Sequence, residues 1–92
     1  MTVHFSYVLA KVSHELAVDP EEVTGPDRDG AACDARAIVA LCARTLFGYS
    51  YPRLGRALNR SQPHAMYLVR RGAELRDTSK RHRQIVFELL GA

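Results

Sequence analysis

YSYPRLGRALNRSQPHAMYLVRRGAELR, residues 49–76, reads as a short helix, a tight polar turn and a longer helix whose outer side carries arginine. Ser50-Tyr51-Pro52 opens the first helix with a capping hydroxyl and a proline in the first turn. Leu54, Ala57 and Leu58 point inward, and Arg53 and Arg56 point out. Asn59 suits the left-handed conformation that a sharp turn requires. Ser61 then caps the second helix, where Pro63 is tolerated because its N–H would have no partner in a first turn. Ala65, Leu68, Val69, Gly72 and Leu75 share one face of that helix. His64, Tyr67, Arg71 and Glu74, with Arg70 beside them, share the other.

Upstream, Phe5, Val8, Leu9, Val12 and Leu16 form one apolar stripe at helical spacing. Asp19-Pro20-Glu21-Glu22 starts a brief helical turn, with Val23 as its inward anchor. Thr24 to Cys33, TGPDRDGAAC, reads as a loop. A second helix is expected from Asp34, with Ile38, Leu41, Cys42 and Thr45 inside, and Arg36, Ala40 and Arg44 on the opposite face. Gly48 is placed to cap its end. Downstream, Asp77-Thr78-Ser79 breaks the long helix and caps another, on which Ile85, Val86 and Leu89 face inward. Lys80, Arg81 and Arg83 crowd its first turn, against the helix dipole, which a nearby phosphate would explain. No segment alternates as a half-buried strand does, so the expected fold is all-α, with five helices and one helical turn. Residues 1–92 make a single domain, either a whole protein or the N-terminal domain of a longer one, with Gly91-Ala92 after a helix suiting a domain end.

The net charge of +3 hides an asymmetry. Residues 1–30 hold two cations and six acids, whereas residues 31–92 hold eleven cations and four acids. Eleven of the thirteen cations are arginine, the better fork for phosphate, which points to a polyanion on the C-terminal side. Neither a membrane-spanning run nor a signal pattern is visible, so the cytoplasm is expected. Cys33 and Cys42, with histidines at 4, 14, 64 and 82, give no metal-ligand spacing, and both thiols are expected buried and reduced. No cofactor is expected. Gly25 and Gly30 lack phosphate-loop spacing, and the paired acids Glu21-Glu22 and Asp27/Asp29 have no histidine near them in sequence, so no catalytic set is read.

A short helix, a turn and a second helix whose leading end is polar is the layout of a helix-turn-helix. Arg60, Ser61, Gln62 and His64 occupy that leading end. Gln pairs with adenine N6 and N7, Arg with guanine O6 and N7, and Ser and His adapt to either role. Arg53, Arg56, Arg70 and Arg71 are placed for phosphates. Tyr67 is read as cover for the edge of the core rather than as a contact to a sugar or phosphate.

From about Val8 to Leu90 the chain resembles the C-terminal DNA-binding domain of the bacterial replication initiator DnaA, whose fold is shared with the Trp repressor. VDPEEV (18–23) is similar to the family's V-x-x-E-D-L-like turn, and DARAIVALCARTL (34–46) to its R-P-R-Q-x-A-M-x-L-A-R-x-L helix. SYPRLGRALNR (50–60) resembles S-x-x-E-I-G-x-x-F-G-x-R, and MYLVRRGAEL (66–75) the helix V-L-H-A-x-R-K-I. The small α-proteobacterial proteins of this type that lack the ATPase are the nearer likeness. The resemblance implies a five-helix DNA-binding domain, but the departures fall on reading positions. The family's R-D-H-T-T is here Arg60-Ser61-Gln62-Pro63-His64, so only the arginine carries over. Gly30 stands where the family inserts an arginine into the minor groove, leaving Arg28 as the matching basic residue.

The expected function is therefore double-stranded DNA binding, as a transcription regulator or its DNA-binding module, at a target other than the initiator's own box. The alternative is a protein-interaction adaptor on the same scaffold, with an RNA polymerase or replication partner. Neither a membrane nor a small-molecule substrate is expected as partner.

Overall fold

The computed structural model describes residues 4–91. Ala92, read with Gly91 as a domain end, lies outside them. Six helices follow one another: α1 (Phe5–Leu16), α2 (Pro20–Thr24), α3 (Gly30–Phe47), α4 (Tyr51–Leu58), α5 (Gln62–Thr78) and α6 (Lys80–Leu90). Among the described residues there is no strand, and no helix is long and apolar enough to cross a membrane. The turn expected after Asp19 is the five-residue helix α2, so the count is six rather than five.

The fold is built around α3, which touches each of the other five helices. Ala32, Ala35, Ala37, Ile38, Val39, Ala40, Cys42 and Ala43 are wholly buried. The expectation of an outer face at Arg36, Ala40 and Arg44 is overturned there, since Ala40 is inaccessible and Arg36 only 2% exposed. A helix surrounded on all sides has no outer stripe, and alanine lets the neighbouring backbones approach closely. Thr45, expected inside, is instead exposed, with its hydroxyl donating to the Leu41 carbonyl at 2.9 Å. The helix also starts earlier than the Asp34 reading placed it. The Asp29 carboxylate accepts from the Ala32 N–H at 2.8 Å, and Gly30-Ala31-Ala32 form the first turn rather than a loop.

Val8 and Val12 bring α1 onto α3, and Val23 anchors α2. α1 ends at Ala17, a non-glycine residue in the left-handed region (φ 55°), where Val18 N–H donates to Ser13 O at 2.9 Å. α5 meets α3 most extensively, and the two cross at Gly72. A Cβ there would run into the Ala37 carbonyl oxygen and the Leu41 Cβ, so only glycine permits the approach. Ile85 and Val86 seat α6 in the same core, with Leu89 half-buried beside them.

Candidate nucleic-acid interface

The junction between α4 and α5 is fixed by local chemistry. Ser50 caps α4 by accepting from the Arg53 N–H at 3.3 Å, and Ser61 caps α5 by accepting from His64 N–H at 3.3 Å. Between them Asn59 is left-handed (φ 59°), and Arg60 N–H donates to Gly55 O at 2.7 Å. Gly55 is required by this closure, because a Cβ on it would lie 2.6 Å from the Arg60 carbonyl oxygen. Leu54 and Leu58 of α4 and Ala65 and Leu68 of α5 are buried under the turn.

Five arginines are committed to backbone carbonyls rather than to solvent. Arg36 donates to the carbonyls of Val23 (2.6 Å), Glu22 (2.9 Å), Asp27 (3.0 Å) and Gly25 (3.4 Å), gathering the end of α2 and the following loop onto α3. Arg44 donates to Tyr49 O at 2.6 Å and lies over the Tyr51 ring at 4.3 Å. Arg81 donates to Glu15 O at 2.9 Å, and Arg83 to Arg76 O and Asp77 O, each at 3.0 Å. The last carbonyls of a helix have no partner within it and carry the negative end of its dipole, so a guanidinium satisfies both needs. Arg81 and Arg83 at the start of α6 thus have a structural employment in capping α1 and α5. For Arg81 and Arg83 the phosphate invoked from the sequence is not needed.

Arg60 is the fifth, and here the expectation changes. Its guanidinium turns back beneath the turn, donating to Gly25 O (2.6 Å), Asn59 O (3.0 Å) and Leu58 O (3.3 Å). It holds the tip of the candidate interface in place and does not reach outward from it. Arg71 is half-buried between Glu74 (3.2 Å) and Asp34 (3.8 Å), and Arg76 pairs with Asp77 at 3.0 Å.

Four arginines remain with neither a carbonyl nor a carboxylate partner among the described residues: Arg28 in the loop, Arg53 and Arg56 on α4, and Arg70 on α5. All four are exposed, and Arg53 lies over the Tyr49 ring at 4.1 Å. Gln62 and His64 are exposed in the first turn of α5, while the Ser61 oxygen is engaged as the cap.

With about 3.6 residues per turn, the buried Ala65, Leu68, Gly72 and Leu75 place Pro63, Met66, Tyr67, Arg70, Glu74 and Asp77 along the outward ridge of α5. The acids of this ridge fall in its C-terminal half, and its N-terminal half carries no negative charge. Tyr67, read from the sequence as core cover, is 52% exposed, and its ring meets His64 edge-on at 5.8 Å between centroids. Met66, which the sequence reading passed over, is 41% exposed on the same ridge. Counting the ridge from Pro63 in steps of three and four would have found it.

A cleft of about 680 Å³ opens along one flank of this ridge, between α5, the loop after α2 and the first turns of α3. Arg28, Arg60, His64, Tyr67 and Arg71 line it, along with Asp27 and Asp34. Burial, then the charges of Arg60 and Arg36, hold the His64 imidazole below its usual range, so it favours the neutral form. Elsewhere, burial pushes the Cys42 thiol up to about 12, which leaves it unreactive. Cys33 is only half-buried and receives Arg36 N–H at 3.7 Å on its sulfur. Among the described residues no group of three or more His, Cys, Asp or Glu is gathered as for a metal ion. No protein-family model matches the chain, and no curated protein matches it.

Proposed function

We propose that the chain binds double-stranded DNA, with α4, the turn and α5 acting as a helix-turn-helix of the type found in the DnaA C-terminal domain. The N-terminal half of α5 enters the major groove, as in other motifs of this layout. The observation that carries this reading is the distribution of uncommitted arginines. Of Arg28, Arg53, Arg56 and Arg70, three stand on α4 and α5, beside a ridge whose leading half holds no acid. Gln62 supplies the amide for an adenine edge, and Met66 an apolar surface suited to a thymine methyl. The role is that of a transcription regulator or its DNA-binding module. With four phosphates neutralised, log affinity falls against log salt with a slope of about −3 to −4. Fluorescence anisotropy on random-sequence duplexes across a salt series tests it, and absence of binding at low salt overturns it.

The exposed Met66 and Tyr67 favour a second reading, an adaptor that docks a protein of the RNA polymerase or replication machinery on the same ridge. Capture of such a component with unchanged yield after nuclease treatment supports the adaptor, and loss of capture with the DNA supports the first reading.

A further inference from the structure

The cleft beside α5 belongs to neither base reading nor the core. It rests on the DNA-binding reading above, but geometry gives it a separate role. A helix with its side chains is about 10–12 Å across, and the major groove is about 12 Å wide. When the outward ridge of α5 lies in the groove, its two flanks therefore press against the two sugar–phosphate walls. The cleft opens along one such flank.

The charge inside the cleft fits that placement. Four guanidinium groups, Arg28, Arg36, Arg60 and Arg71, line the cleft with two carboxylates, Asp27 and Asp34, and Glu74 pairs with Arg71 from outside it at 3.2 Å, leaving a surplus of one positive charge before His64 is counted. Asp34 is already paired with Arg71 at 3.8 Å, and Arg36 and Arg60 are spent on neutral carbonyls, which leave their charge uncompensated. From the loop Asp27 and Arg28 share the cleft with His64, from α3 Cys33, Asp34 and Arg36, and from α5 Tyr67 and Arg71. Arg28 has neither a carboxylate nor a carbonyl partner among the described residues.

We propose that this cleft seats one backbone phosphate of the bound duplex, held by Arg28 and by a His64 that takes up a proton as the DNA arrives. The base-reading role expected of His64 from the sequence becomes a phosphate-binding one. In the free protein burial, then the charges of Arg60 and Arg36, disfavour the imidazolium, and a phosphate oxygen at the cleft mouth opposes them. The sign follows from linkage. The complex holds more protons than the free protein, so affinity is highest at low pH and falls as pH rises through the histidine range.

Duplex binding is measured at fixed ionic strength from about pH 5.5 to about pH 8, the window in which histidine titrates. The expected result is a three- to tenfold loss of affinity across that window, up to about one pKa unit of coupling. It should be absent in His64→Gln, whose exposed position leaves the fold intact. Arg28→Ala should lower the salt slope by about one at both ends of the pH range. A wild type and a His64→Gln protein that bind with the same pH dependence overturn the cleft proposal and leave the DNA reading standing. No duplex binding at any pH overturns the reading beneath it.

Discussion

Arg60 donates to the carbonyl of Gly25 at 2.6 Å, tying the turn between α4 and α5 to a loop thirty-five residues earlier in the chain. The same loop is also held by Arg36, which reaches Gly25 O at 3.4 Å. Two guanidinium groups of like charge therefore share one carbonyl oxygen, and the loop bearing Arg28 is positioned by both.

These clamps differ in cost of removal. Arg36 is buried, and Arg36→Met should cost about 3 kcal/mol or more, because several carbonyls lose their donors away from water. Arg60 is half-buried, and Arg60→Ala should cost about 1–2 kcal/mol. Arg60→Lys should recover little, since a point charge cannot span Leu58, Asn59 and Gly25 together. Urea denaturation of the three variants gives the order.

Free and committed arginines should separate cleanly when mutated. Arg70→Ala removes an exposed, unpartnered cation, so stability should stay within about 0.5 kcal/mol while the salt slope of DNA binding drops by about one. Arg83→Ala removes the donor to Arg76 O and Asp77 O, so it should lose about 1 kcal/mol of stability and leave the slope alone. Parallel melting and anisotropy measurements on both variants check the crossed pattern.

Ala17 ends α1 with φ at 55°, a conformation that costs an L-residue roughly 1 kcal/mol relative to glycine. Ala17→Gly should stabilise the fold by about 0.5 kcal/mol after the greater freedom of glycine in the unfolded chain is subtracted. A rise in melting temperature with unchanged DNA binding is the expected outcome.

Acid should weaken the fold through His82. Burial, together with Arg81 and Arg71, outweighs the opposing pull of Asp34 and keeps this imidazole below its ordinary value of 6.5. Its Nδ1 lies 2.6 Å from the Ser79 hydroxyl, and its buried Nε2 has no partner. The unfolded chain therefore binds the proton more readily than the native one. Stability is full above the ordinary histidine value and declines as pH falls below it. Urea midpoints at neutral and mildly acidic pH should differ in wild type, and the difference should shrink in His82→Leu.

The parts of this fold that sequence made legible are those written in a residue's own side chain. The serines at 50, 61 and 79 cap helices, and Gly48 and Asn59 are left-handed at helix ends, because capping and φ preference are local properties. The burial of Arg36 was not legible. Its partners are carbonyls of Glu22, Val23, Gly25 and Asp27, groups that every residue possesses and that therefore leave no mark in composition or spacing. The same blindness inflated the apparent basic surface, since Arg60, Arg81 and Arg83 looked available and are not. Within the candidate site, Arg28, Arg53, Arg56, Arg70, Gln62 and His64 are exposed where the sequence reading put them outward. Met66 was overlooked because a lone exposed methionine reads as packing.

The glycine crossing sets a mechanical condition on whatever meets α5. With the backbone of α3 against it at Gly72, α5 can neither roll nor slide by a residue, because Ala73 or Arg71 would then carry a Cβ into the Ala37 carbonyl. The helix is a fixed rail. A docking partner must supply the adjustment itself, and for duplex DNA that means selection by how readily a sequence bends or widens its groove, at base pairs the protein never touches.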